Sequence, residues 1–195
     1  MAGGDLVMEE NKNVSAGVVI KEILSYIVWL AAVFAAVQII TNYIGVFSVV
    51  DGESMEPTLY NKEYLWVSKL DYLMNDPERF DVVIFPVDYY GEERHFVKRI
   101  IGLPGETVYI DADGVIYINN EVLKEGYGKE IIADYTRQRA AEPILLGEDE
   151  YFVLGDNRNH SSDSRFDSVG DIHRDDILGK VVARVWPLNK IGKVQ

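Results

Sequence analysis

An apolar run from Ile23 to Ile40, broken only by Ser25 and Gln38, decides where the rest of this chain can fold. Extended through Thr41 to Phe47, it reaches the roughly 20 residues that a helix needs to cross a bilayer. Tyr26 and Trp29 near one end and Tyr43 near the other suit the two interfaces. A cleavable signal peptide has a shorter apolar core and a small-residue exit, whereas this run ends Thr41-Asn42-Tyr43-Ile44. The expectation is a retained transmembrane anchor over residues 23–45 rather than a buried amphipathic helix. Lys12 and Lys21 precede it, and no Lys or Arg follows until Lys62. The positive-inside rule then predicts a cytoplasmic tail (1–22) and an extracytoplasmic domain (46–195).

That domain, of roughly 150 residues, is long enough for a real core. The chain has 195 residues, 48% of them hydrophobic, and a formal charge of −13. Such a field repels phosphate backbones, so no nucleic-acid partner is expected. With no cysteine, disulfides, thiol catalysis and cysteine-ligated metals are excluded. The three histidines, His95, His160 and His173, are scattered, no H-E-x-x-H occurs, and Asp111-x-Asp113-Gly114 lacks the other ligands of a calcium loop. No metal or cofactor is predicted.

Beyond the apolar run the pattern is β. Short β-branched or aromatic stretches bounded by turn residues occur at Val46–Val50, Tyr64–Leu70, Asp81–Phe85, His95–Ile101, Tyr151–Leu154 and Gly179–Trp186. Thr107–Ile110 and Val115–Ile118 flank Asp111-Ala-Asp-Gly114, a hairpin with glycine where positive φ is easiest. Lys124 to Gly147 reads either as a short helix around Asp134–Ala141 or as a long loop. The fold class is mainly β with one N-terminal transmembrane helix.

Candidate chemistry begins just past the anchor, at Asp51-Gly52-Glu53-Ser54-Met55-Glu56-Pro57-Thr58-Leu59. Pro57 and Gly52 make this a stiff loop, on which Ser54 is either a turn hydroxyl or a nucleophile. Glu56 breaks a G-x-S-x-G elbow, and no serine is followed three residues later by lysine. A serine nucleophile needs a base. One candidate is His160 with Asp163; the other is Lys98. Strand alternation puts Lys98 on one face with Phe96 and Ile100, and desolvation there would yield a free amine near neutrality, a competent general base. The alternative is a lysine that snorkels to water. Gly155 and Asn157 suit a tight turn, and Asp163 and Arg165 can pair as a weak surface bridge or a buried strut.

Taken in order, Gly52-Glu-Ser54-Met-Glu-Pro57-Thr-Leu59, Phe80–Phe85, Val97–Glu106 with Lys98, and Gly155-Asp-Asn-Arg158 with Ser161-Ser-Asp163-Ser-Arg165 resemble the boxes of the type I signal peptidases, in their compact Gram-positive-type form. The resemblance spans about Ile23 to Trp186. It implies a catalytic domain of coiled antiparallel β-sheets at the membrane's outer face, with Ser54 as nucleophile and Lys98 as general base. Ser161 would orient the lysine amine. Asp163 and Arg165 would form a structural pair, with Gly155 and Asn157 in the supporting turn and Met55 following the nucleophile. Some members carry an oxyanion-hole serine where this chain has Gly52, so the hole would rest on backbone amides such as that of Ser54. The implied activity is removal of signal peptides after small residues, at A-x-A-like sites, through an acyl-enzyme. The implied partners are preproteins bearing signal peptides, the lipid bilayer and the secretion machinery. Two other classes use similar parts: self-cleaving repressors with a Ser–Lys pair on a related β fold, and non-catalytic membrane-tethered modules. The span and the −13 charge argue against the first, and the presence of both Ser54 and Lys98 against the second.

Overall fold

The computed structural model describes residues 16–89 and 91–194. The chain divides into two units, Met1–Ile40 and Thr41–Gln195. In the first, α1 (Ala16–Ile39) is a single helix, exposed along its described side chains. It is apolar on nearly every face, which suits lipid, and its helical hydrogen bonds satisfy the backbone there without water. The stretch long and apolar enough to cross a membrane covers Gly17–Ile44. It therefore starts before residue 23, with Lys21 and Glu22 inside the helix. The tail expected over residues 1–22 lies, as far as residue 15, outside the described residues, and Lys12 with it.

A π-helical turn, Ile40–Ile44, leads into the β-rich unit. Its strands begin with β1 (Gly45–Val49), β2 (Tyr64–Ser68), β3 (Val82–Tyr89) and β4 (Glu92–Gly102). Then come β5 (Thr107–Ile110), β6 (Ile116–Ile118), β7 (Glu121–Val122) and β8 (Ile144–Leu145). The last are β9 (Glu150–Leu154), β10 (Ile172–His173), β11 (Gly179–Trp186) and β12 (Gly192–Lys193). One short helix, α2 (Asp71–Met74), follows β2. Among the described residues the strands form two open sheets, β1-β2-β11-β3-β4-β9-β10 with β12 on β11, and β7-β6-β5-β8. Every pairing is antiparallel.

Several element bounds differ from the sequence expectation; β4, for one, starts at Glu92 rather than His95. The strand predicted to stop at Phe85 runs on through Pro86 to Tyr89 and pairs with β4 as far as Glu92. Proline is tolerated here because β11 pairs with β3 only at Val83 and Ile84, leaving β3 without that neighbour at Pro86. The segment from Lys124 to Gly147 holds no α-helix. It makes two 3₁₀ turns, Asp134–Thr136 and Gln138–Ala141, before the two residues of β8.

Alternation distributes the strands over three apolar clusters. Val83, Phe85 and Val87 of β3 point into a cluster with Ile100, Tyr151 and Val153, while Val82 and Ile84 join Met55, Leu59, Leu65 and Val67 on the other side. Ile101, Phe152 and Leu154 face the small sheet's Val108, Ile110 and Ile116. Burying each such side chain contributes about 1.5–3 kcal/mol, and two of them, Met55 and Leu59, lie in the loop that carries Ser54.

Candidate active site

The Ser54 loop joins β1 to β2, and its neck is closed by paired backbone bonds, Val50 N to Glu63 O and Lys62 N to Val50 O, each 2.9 Å. Met55 and Leu59, 1% and 0% exposed, plug its base into the core, and Leu59 N donates to Met55 O. Ser54, one residue before the plug, is held half-buried at the rim. Gly52 has φ +103°, a conformation that L side chains rarely adopt, and its N–H donates to Asn61 Oδ1. The stiff loop expected from Gly52 and Pro57 is thus anchored mainly by Met55 and Leu59, whose role the sequence reading did not assign.

Lys98 lies in the middle of β4, opposite Val83, and is 4% exposed. Its Nζ is 2.9 Å from Ser54 Oγ and 3.0 Å from Val97 O. The Phe96 ring covers it at 4.8 Å. Burial disfavours the ammonium and lowers the lysine to about 8, against the opposing pull of Asp163 and Asp156. Here desolvation outweighs the carboxylates. The apolar-face argument for Lys98 thus holds, and the snorkelling alternative does not.

The turn after β9 packs directly on the serine loop. Asn157 N donates to Ser54 O (3.0 Å), and Asn157 Nδ2 to Glu53 O (3.1 Å). Gly155 is required by closeness: a Cβ there would sit 2.2 Å from Ser161 Oγ and 2.5 Å from Ser54 O. Ser161 Oγ is itself buried without a hydrogen-bond partner. The bond to the lysine implied for Ser161 is therefore not formed; the amine bonds Ser54 and Val97 instead. Asp163 and Arg165 are both fully buried and joined by two side-chain bonds, Nε to Oδ1 at 2.8 Å and a terminal nitrogen to Oδ2 at 2.9 Å. Asp163 Oδ2 also accepts from Gly155 N (3.0 Å). This is the strut rather than the surface bridge.

Asp163 is turned toward Arg165 and Gly155, not toward His160, and His160 is exposed at the edge of the groove. The His160–Asp163 base has no geometry to support it. The groove, about 470 Å³, is lined by the loop from Ser48 to Met55 and by Tyr89, His95, Phe96, Lys98 and Ser162. Among the described residues no cluster of His, Asp and Glu could hold a metal.

A second buried ion pair was missed in the sequence. Arg99, on the opposite face of β4 from Lys98, is fully buried and clamps Asp156 through Nε (2.9 Å) and a terminal nitrogen (2.7 Å). The guanidinium stacks 3.8 Å above the Tyr127 ring, and Thr58 donates to the same carboxylate. Alternation puts Arg99, next to Lys98 in the strand, on the other face, but pairing to a residue 57 positions on has no local signal. Together the two faces of β4 carry one cation toward Ser54 and one into the floor of its loop. Chemically, a hydroxyl within hydrogen-bond reach of a desolvated amine is the arrangement of an activated nucleophile.

The family model for signal peptidase, peptidase S26, matches residues 23–186. A signal peptidase I of Bacillus amyloliquefaciens is 38% identical over 175 residues, covering 86% of this chain and 91% of that protein. A probable signal peptidase I-2 of Synechocystis sp. is 36% identical over 167 residues, 84% of this chain and 72% of that protein. A solved signal peptidase I from Enterococcus faecalis V583 is 34% identical, covers 55% of this chain and 97% of its own, and superposes with a TM-score of 0.45. The chain belongs to the signal peptidase family, peptidase S26, and is an enzyme of the signal peptidase I type.

Proposed function

We propose that this enzyme is a membrane-anchored endopeptidase that removes signal peptides from exported preproteins, with Ser54 as nucleophile and Lys98 as general base. The observation that carries the reading is the 2.9 Å approach of the buried Lys98 amine to Ser54 Oγ. The neutral amine accepts the hydroxyl proton as Oγ attacks the carbonyl carbon of the residue before the scissile bond. The resulting ammonium returns that proton to the leaving amine as the C–N bond breaks, leaving an acyl-serine. A water then gives its proton to Lys98 and attacks the ester; the acid product leaves and Oγ regains the proton. Backbone amides, including that of Ser54, stabilise the oxyanion, since Gly52 has no hydroxyl to offer. Asp163 with Arg165 braces the turn that carries Ser161, through Gly155 N and Arg158 O. The groove takes small residues ahead of the cut, as in A-x-A-like sites.

The helix α1 is the anchor, with the N-terminus cytoplasmic on the side of Lys12 and Lys21 and the β unit extracytoplasmic. Support comes from an apolar stripe across three strands. Phe47 (67% exposed) and Val49 on β1 lie opposite Trp66 and Tyr64 on β2, and Trp186 on β11 lies opposite Tyr64. Phe47 is three residues beyond Ile44, the end of the apolar stretch, a reach of about 10 Å along the chain, which keeps this stripe within reach of lipid headgroups. Membrane tethering of enzyme and substrate raises their effective concentration, and the secretion machinery delivers the preprotein to the same layer.

The test is cleavage of a model preprotein by the purified full chain. Ser54→Ala and Lys98→Ala each abolish cutting while the protein remains folded, and His160→Ala retains most of it. Retained activity in either of the first two variants ends the Ser–Lys reading.

A further inference from the structure

The segment from Glu125 to Arg139, which has little regular structure, runs along the turn that follows β9 and bonds to it repeatedly. Lys129 N donates to Asp156 O (2.8 Å), and Lys129 Nζ reaches Glu56 Oε2 on the serine loop (3.0 Å). Arg165 donates to Thr136 O (3.2 Å), and Arg139 N to Arg165 O (3.2 Å). Asn159 sits at the centre of these contacts. Its Nδ2 donates to Ile131 O (2.9 Å), its Oδ1 accepts from Ala133 N (2.8 Å), and its own N–H donates to Glu130 Oε1 (2.9 Å). The Thr136 hydroxyl lies 3.0 Å from the same Oδ1. A single half-buried amide thus adds to the two backbone bonds, from Lys129 N and Arg139 N, that tie the segment to the turn.

We infer that residues 125–139 are a brace that sets the spacing between the serine loop and the turn carrying Ser161, and that Asn159 is the positioning residue through which the brace acts. The inference rests on Ser54 and Lys98 being the reacting pair. The connection is short. Asn159 is two residues from Asn157, whose main-chain and side-chain N–H groups hold the carbonyls of Ser54 and Glu53, and two residues from Ser161. Lys129 touches both partners, through Asp156 O on one side and Glu56 on the other. Neither Asn159 nor Lys129 is needed to fill the apolar core, so their contacts set position rather than bulk. Misplacing reacting atoms by about an ångström costs up to roughly 100-fold in rate, without any change in the groups present.

The experiment compares the full chain in detergent micelles with Asn159→Ala and Asn159→Asp. Cleavage kinetics are measured on a model preprotein, and backbone hydrogen exchange on the unliganded proteins. In Asn159→Ala, kcat falls roughly 10- to 100-fold while KM stays within about twofold. Exchange quickens at Lys129 and Asn157, whose amides bond Asp156 and Ser54, and is unchanged in β5 and β6. Asn159→Asp keeps the acceptor for Ala133, loses the donor to Ile131, and recovers part of kcat. Full kcat in the alanine variant, a change confined to KM, or quickened exchange that stops within residues 129–136 would each overturn the inference. Should the alanine variant not fold, the aspartate variant carries the same two readouts, and an unchanged kcat there overturns it equally. The unsubstituted chain, assayed alongside, keeps the two claims apart. If it fails to cut, the proposed function falls, and the exchange data still decide whether the brace reaches the serine loop.

Discussion

Lys98 is a charged group placed where charge is costly. Its folded-state value near 8 lies below the ordinary 10.5, so below about pH 8 the fold must hold a desolvated ammonium. The unfolded chain binds the proton more readily between those two values, so stability rises with pH from about 8 to about 10.5 and is flat outside that window. Lys98→Met, which keeps the volume and removes the charge, is therefore expected to stabilise the protein at pH 7 by up to about 3 kcal/mol, the gain fading as the pH passes 10. Urea unfolding of the full chain at pH 7 and pH 10.5 checks this. Equal or lower stability of the variant at pH 7 would mean that the amine is not desolvated. Lys98 was legible in the sequence because one lysine interrupted an apolar face. Its partner hydroxyl was legible only through its loop, since a serine in a turn is ordinary.

At the scale of elements, β4 is the organising strand. Its two faces deliver Lys98 to Ser54 and Arg99 to Asp156, so the pleat itself fixes the distance between the lysine amine and the buried guanidinium. Alternation made the first half of this visible. The second half joins residues far apart in the chain, and so did the bonds by which the irregular segment from Glu125 to Arg139 reaches Asn159; neither leaves a periodic trace. Pro86 misled the strand boundary for a different reason: the sequence does not say that β3 lacks its β11 neighbour at that point. The buried Arg99–Asp156 pair gives a test of its own. Asp156→Ala, which strands a buried guanidinium, should cost about 3–5 kcal/mol, whereas Arg99→Met combined with Asp156→Leu should recover much of that loss, because two well-packed apolar groups leave no charge unpaired. Denaturant unfolding of the three proteins measures both. A double variant as unstable as Asp156→Ala would show that the pair supplies more than mutual neutralisation.

For the whole molecule, the apolar run and the β pattern already separated an N-terminal apolar helix from a β-rich unit, and the structure shows both. Less legible was the stripe of Phe47, Trp66, Tyr64 and Trp186, because its members come from three strands and share a face only once the registers are known. The molecule's −13 charge also bears on the chemistry: a negative field favours the ammonium, so burial must work against it to free the amine. The most direct test of the Ser54–Lys98 account is the pH dependence of kcat/KM for the full chain on a model preprotein at fixed ionic strength. The account predicts an acid limb with its midpoint near pH 8, below which the rate falls about tenfold per unit as Lys98 is protonated. A profile that stays flat down to pH 6, or a limb with its midpoint near the ordinary histidine value of about 6.5, would contradict it.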